Sequence, residues 1–417
     1  MATENNNKTL NVPNLRFPEF SGEWDRIKVS DLLEFYPTNS LSWEQLDYSG
    51  EGIFNLHYGL IHKGLPTQVD VSENNLPTIK DEYIPKKMSL CQNGDVAFAD
   101  ASEDTNDVAK CIEFANCDEQ KIVCGLHTIH GRDTQNKTVT GYKGYAFSAR
   151  PFREQIRRLA QGTKIYSINS HNFSECYIGI PCKEEQSNIS NLLHTVDLRI
   201  ATQIKIIEDL KKLKSAISNK LFARKDLLEK QITISEIGTL KNGYAFQSSK
   251  YNPLGKWKIL TIANVPGERN INDEDCNCII NLPSDIQNHQ VLKEGDILIS
   301  LTGNVGRVSL CTDGNYLLNQ RVGLLQLKQG VNREYIYQAL SCRRFEQTMI
   351  SCGQGAAQMN IGKGDVEDYT IPYSANSLNL EVLASTLKTY DLLISVEVDR
   401  LRLFIQQKQY LLAQMFI

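Results

Sequence analysis

The chain has 417 residues, 41% hydrophobic and 23% charged, enough for two or three domains with proper cores and ordinary for a globular protein. No apolar run reaches the roughly 18 residues of a membrane span, and the polar, Asn-rich residues 1–8 lack the apolar core of a signal peptide, so a frayed cytoplasmic tail is expected over residues 1–11. A net charge of −4 excludes a uniformly basic nucleic-acid binder but not a locally positive face. Eleven cysteines, an odd number in no framework, fit reduced thiols, which makes the Asn136 and Asn188 glycosylation patterns chance matches.

In chain order, an entry phrase runs from Val12-Pro13-Asn14-Leu15-Arg16 to Gly22-Glu23-Trp24. A short strand-like or helical piece follows at residues 27–33, then strand candidates at 96–98, 122–123 and 145–147, with Gly94-Asp95 turning into the first of these. Residues 151–159 read as a helix with outward arginines, followed by Gln161-Gly162-Thr163 and by Ile180-Pro181, where proline stops what precedes it. After a short charged linker at residues 223–230 the order repeats. Residues 232–237 answer the Ile27 segment, Gly295-Asp296 answers Gly94-Asp95, Gln354-Gly355 answers Gln161-Gly162, and Ile371-Pro372 answers Ile180-Pro181. A conserved order with different loops between the matches indicates duplication followed by divergence of the loops.

Each copy closes on a long helix, and the two helices superpose without a gap. Heptad position a reads Leu193, Ile200, Ile207, Lys214, Leu221 in one and Leu387, Ile394, Leu401, Lys408, Met415 in the other. Position d reads Val196, Gln203, Leu210, Ile217 and then Tyr390, Glu397, Phe404, Leu411. Apolar a/d seams pair helices, and isolated polar seam residues fix register. Both copies place the polar residues alike, and changing Lys214 and Lys408 to leucine is expected to stabilise or re-register the coil. Apolar residues outside the seam (Ile204, Ile206, Leu213, Leu393, Val398, Ile405) exceed what one two-helix seam buries, which marks a partner surface.

Catalytic signals are scarce. There is no nucleotide-binding Gly-x-x-x-x-Gly-Lys-Ser/Thr loop and no Asn-Pro-Pro-aromatic tetrad; Asn252-Pro253-Leu254 lacks the second proline and the aromatic. Cys124-x-x-His127-x-x-His130 matches no standard zinc spacing, so it reads as a structural cluster and no metal is expected. The glycines of Thr302-Gly303-Asn304-Val305-Gly306-Arg307 read as a strand-to-strand turn that throws Asn304 and Arg307 outward. Amide and guanidinium groups are those that read adenine and guanine edges. They gather about the glycine turns of the second module as Asn304, Arg307, Asn319, Gln320, Arg321, Gln354, Gln358 and Asn360. The first module offers Lys143, Arg150, Gln161, Lys164, Tyr166 and Asn169 at comparable places.

Together these phrases resemble the specificity (S) subunit of type I restriction-modification systems. The resemblance rests on the entry phrase, both Gly-Asp strands, and the run Gln161-Gly162, Ile180-Pro181, Glu185-Gln186, Ile189, Val196-Asp197 into the helix; Asn379-Leu380 replaces the Glu-Gln step in the second copy. It implies an α+β chain in which two β-rich target-recognition domains, in pseudo-twofold arrangement, are joined by two long antiparallel coiled-coil helices. The divisions are then 12–182 and 223–373 for the domains, and 183–222 and 374–417 for the helices. It further implies a non-catalytic, cytoplasmic subunit that reads a bipartite target in double-stranded DNA. Two methyltransferase subunits and the restriction subunits would be its partners, with S-adenosylmethionine, ATP and Mg held by them. The alternative is a coiled-coil adaptor whose two globular modules bind protein or glycan.

Overall fold

The computed structural model describes residues 11–48, 52–72, 76–117, 120–353 and 359–417. Most of the expected tail (residues 1–10) and Gln354, Gly355 and Gln358 lie outside them. The chain forms two compact units: Met1–Ile204 with Arg400–Ile417, and Lys205–Asp399.

In the first unit, β1 (Asp25–Lys28) leads into one turn of helix α1 (Val29–Leu32) and then β2 (Glu34–Tyr36). Strands β3 (Ile53–Leu56), β4 (Gln68–Asp70), β5 (Val96–Ala99), β6 (Cys111–Ala115), β7 (Lys121–Cys124) and β8 (Thr128–Arg132) follow. Helices α2 (Tyr142–Ser148) and α3 (Arg150–Leu159) come next, then β9 (Tyr177–Ile180) and the long α4 (Lys183–Phe222). A five-stranded sheet has the order β2-β8-β5-β6-β4, and β9 returns to pair antiparallel with β1.

The second copy repeats this with β10 (Lys230–Thr233), α5 (Ile234–Ile237), β11 (Gly238–Asn242), β12 (Ile297–Ser300), β13 (Val308–Leu310) and β14 (Val322–Leu327). Helices α6 (Arg333–Leu340) and α7 (Arg343–Cys352), strand β15 (Thr370–Tyr373) and the long α8 (Ser377–Gln414) complete it. Its four-stranded sheet runs β11-β14-β12-β13, the same order as the first four strands above, and β15 pairs antiparallel with β10 as β9 does with β1.

Local chemistry explains the matching parts. Gly94 and Gly295 adopt φ of +83° and +80°, a left-handed turn that glycine enters without steric cost. The following aspartates close the turn on the backbone three residues earlier: Gln92 N donates to Asp95 Oδ2 at 2.9 Å and Lys293 N to Asp296 Oδ2 at 2.8 Å. The strands so launched, β5 and β12, are buried along their whole length. Tyr142 and Tyr335 occupy equivalent places on α2 and α6, and both hydroxyls donate to a carbonyl of the returning strand, Gly179 O at 2.7 Å and Pro372 O respectively.

One sequence reading is corrected here. Residues 145–147 look like a strand because Tyr and Phe favour strands, yet they lie in α2. Tyr142, Tyr145 and Ala146 share a helical face, and burying that face in the core overrides propensity.

The long helices run antiparallel. In the first unit Leu193 and Val196 share a buried cluster with Leu411, Met415 and Phe416. In the second, Leu221 and Phe222 pack on the cluster of Leu380, Leu383 and Ala384. Every apolar a/d residue predicted from the sequence is buried or half-buried: Leu193, Val196, Ile200, Ile207, Leu210, Ile217 and Leu221 on α4, and Leu387, Tyr390, Ile394, Leu401, Phe404, Leu411 and Met415 at the α8 side. The polar seam residues Gln203 and Glu397 are buried as well. Each seam lysine has an acidic partner on the opposite helix, Lys214 with Asp391 at 2.5 Å and Lys408 with Asp197 at 2.6 Å. Leucine at these positions would take the lysine partner from an aspartate on the opposite helix, so a cost is expected in place of a stabilisation.

Candidate DNA interface

In the second module the fold draws three loops onto one strand end. Leu301 follows β12; its N–H donates to Arg321 O at 3.0 Å, and its carbonyl accepts from Ile361 N at 2.9 Å. The loop after it, residues 302–307, carries Gly303 and Gly306 at φ +73° and +77°, and Gly303 N donates to Met359 O at 2.8 Å. A Cβ on Gly306 would stand 2.6 Å from Met349 Cβ, so this turn admits only glycine without displacing α7. Asn304, Gln320, Arg321 and Asn360 project from the joined loops as exposed side chains. Half-buried Arg307 lies 3.6 Å from Glu346, a long and partly solvated pair that contributes little. Asn319 serves the turn, accepting from Arg321 N at 3.2 Å. Residues separated by more than fifty positions in sequence thus form one polar, donor-rich edge, which is what base-edge recognition requires.

The first module presents a smaller counterpart. Gln161 and Ser167 exchange both backbone hydrogen bonds, at 2.9 and 2.8 Å, closing a loop whose tip is Gly162, Thr163, Lys164 and Ile165. A Cβ on Gly162 would meet Ile165 O at 1.9 Å. Gln161 and Lys164 are exposed and Tyr166 is half-buried on a short pairing with residues 101–102. Asn169 is also exposed, but its Oδ1 accepts from Asn172 N at 2.7 Å and caps a short helix. Arg150 is exposed at the start of α3 and holds Glu154 at 2.7 Å.

Lys143 is a correction. It is buried on α2, its Nζ 2.9 Å from Thr138 Oγ1 and 3.2 Å from Glu113 Oε1, and it cannot reach DNA. Burial pushes the Glu113 carboxyl above the usual range although Lys143 opposes the shift. The sequence reading counted a lysine beside glycines as surface; the helix turns it inward to neutralise a buried carboxylate.

Sequence reasoning also missed the anchors of the helix starts. Arg16 grips Glu185 with two bonds of 2.7 Å, and Gln186 spans Val139 N, Lys137 O and Pro181 O. In the second copy Asn379, in place of Glu185, reaches Leu227 O at 3.1 Å. The Glu185-Gln186 phrase was visible as part of a resemblance, but its partners were not.

Each unit thus contains a copy of the same sheet order, with loops that diverge at matching positions. Residues 229–401 match the family model described as the type I restriction modification DNA specificity domain. The fold is similar to the crystal structure of the type I restriction-modification system S subunit from M. genitalium, at 16% identity and a TM-score of 0.53, covering 97% of this chain and 99% of that one. It is likewise similar to a chain from a structure addressing complex assembly and conformational transition of the type I R-M system, at 14% identity and a TM-score of 0.55, covering 93% and 96%. No curated protein matches the sequence. The whole chain thus shares the fold of these two chains, and residues 229–401 carry the likeness to the DNA specificity domain. Among the described residues no helix is long and apolar enough to cross a membrane.

Proposed function

We propose that each module reads one half of a bipartite DNA target through the loops described above, and that the helix pair sets the spacer. The convergence of residues 302–307, 319–321 and 359–360 around Leu301 carries this reading. It gathers most of the candidate base-reading side chains of the second module onto one edge. The first module would read through the loop of Gln161 and Lys164, with Tyr166 beside it. On this reading the chain supplies recognition in the cytoplasm, and methylation and cleavage belong to partner subunits that hold S-adenosylmethionine, ATP and Mg. The apolar residues that α4 and α8 leave exposed, Ile204, Ile206, Leu213, Leu393, Val398 and Ile405, support docking of two methyltransferase subunits.

The test is methylation mapping by single-molecule sequencing with Gln320→Ala co-expressed with its methyltransferase partner. Loss of a bidentate base contact costs about 1–3 kcal/mol, so one half-site should relax while the other keeps its preference. Equal loss at both half-sites, or an unchanged target, would show that this edge does not read bases.

A further inference from the structure

Module 1 contains a buried cluster that recognition does not use. Cys91, Cys124 and His130 are 5%, 2% and 0% exposed, and one ligand atom from each lies within 4.8 Å of the other two. Strand pairing assembles them: Cys91 N donates to Ile122 O at 2.8 Å, which brings the loop before β5 alongside β7, and His130 lies opposite Ala97 in the β8–β5 pair. His127, the middle member of the Cys124-x-x-His127-x-x-His130 spacing, faces away and bonds Asp100 at 3.1 Å. Cys91, distant in sequence, stands where that histidine was sought.

Three observations point to an ion. The two sulfurs are 3.6 Å apart; a disulfide needs about 2.05 Å, whereas two thiolates on one tetrahedral zinc at about 2.3 Å each stand roughly 3.8 Å apart. His130 Nε2 bonds Asp95 Oδ2 at 2.7 Å, and Asp95 is also held by Arg132 at 2.7 Å, so the carboxylate accepts and Nε2 carries the proton. That leaves a lone pair on Nδ1, which is buried with no hydrogen-bond partner. A carboxylate fixing the far nitrogen of a histidine is the usual support for a zinc ligand.

The third observation is internal to the chain. Counting from the matching Gly-Asp turns and strand pairings, Cys91 corresponds to Leu292, Cys124 to Leu318 and His130 to Leu324. Those three leucines lie together in the apolar cluster of module 2. Where the fold needs only packing at this place, it uses hydrocarbon; in module 1 all three positions carry groups that bind soft or borderline metals.

We propose that Cys91, Cys124 and His130 Nδ1 form a structural zinc site that ties the loop before β5 to β7 and β8, with Asp95 as the carboxylate orienting the imidazole. Cys117 shares the apolar cluster of Cys91 and Cys124 but is outside the trio whose ligand atoms come together.

The test is metal content and Co2+ substitution of the full-length chain, produced in zinc-supplemented medium and purified without chelators. One zinc per chain is expected by elemental mass spectrometry. After metal removal, Co2+ alone should give the near-ultraviolet thiolate-to-cobalt band. C91S/C124S should lower bound zinc about tenfold or more, and D95N should weaken zinc binding about 10–100-fold in competition with a chromophoric chelator. Because a cysteine variant can fail to fold, metal-free wild-type protein provides the second measurement: added Zn2+ should raise its Tm. Wild-type protein without zinc, absence of the cobalt band, no Tm response, full zinc retention in C91S/C124S, or a Cys91–Cys124 disulfide in freshly purified protein would each overturn the proposal.

Discussion

The same turn serves opposite electrostatic circumstances in the two modules. Asp95 and Asp296 each follow a left-handed glycine and each accept from the backbone N–H three residues earlier. Burial pushes the Asp95 carboxyl up, but Arg132 and His130 more than reverse it and hold it below the usual carboxylate range. Burial also pushes Asp296 up, and the backbone bond from Lys293 with the charges of Arg333 and Lys293 offsets this only in part, so it stays raised. The backbone needs the aspartate in both places, while only module 1 has built an ion-pair network on it. Duplication preserved the local turn, and the surroundings diverged.

Replacing the aspartates should expose that difference most strongly. Asp95→Ala leaves Arg132 and His130 without their carboxylate and should cost about 3–5 kcal/mol, the usual loss when one partner of a buried pair is removed. Asp296→Ala removes mainly a capping bond and should cost about 1 kcal/mol. Urea unfolding of the full chain, followed by probes placed in each module, would measure both. The pH response should also differ in sign. The folded-state pKa of Asp95 is lowered, so its stabilisation is present above the ordinary carboxylate range and is lost as pH falls through the folded value. That of Asp296 is raised, so its contribution is complete below the ordinary range and fades as pH rises through the folded value. Parallel acid responses in D95N and D296N would erase the contrast.

The seam lysines sharpen the comparison at a smaller scale. Without Lys214, Asp391 still has Gln338 at 2.6 Å and Arg269 at 3.4 Å; without Lys408, Asp197 keeps the Tyr145 hydroxyl at 2.9 Å. Lys408→Leu should therefore cost about 2 kcal/mol and Lys214→Leu about 1 kcal/mol or less. Equal Tm losses would mean that the extra partners of Asp391 contribute nothing. The smallest expected effect is a likeness. Tyr142→Phe and Tyr335→Phe each delete one hydroxyl bond to the returning strand and should each cost about 1 kcal/mol. Markedly unequal losses would show that the duplicated tyrosines no longer do the same job.

What the sequence revealed was whatever is encoded locally. Heptad spacing located both helices, because the burial of residues such as Leu193 and Leu387 follows directly from the helical period. Gly94-Asp95 and Gly295-Asp296 announced buried strands because turn chemistry is written in adjacent residues. The polar loop edge proposed to read DNA in module 2 was legible only as outward side chains on glycine turns, because its assembly around Leu301 depends on backbone pairing across separate loops. Lys143 was misread because its partner Glu113 lies on a strand that only the fold brings close. Cys91 was overlooked for the same reason: no spacing rule joins it to Cys124 and His130 before the strands pair.

One consequence concerns the order in which the protein is made. The first unit is discontinuous, drawing on Arg400–Ile417 to complete a core that begins with Trp24. On the ribosome, Leu193 and Val196 emerge long before Leu411, Met415 and Phe416, which cover them, and the whole of Lys205–Asp399 is synthesised in between. The second unit, a continuous segment, can close first. Until translation reaches α8 and the residues just past it, the first carries an open apolar face of the kind that draws nascent chains into aggregates or onto chaperones. Maturation of this half is therefore timed by the last stretch of helix rather than by its own early emergence.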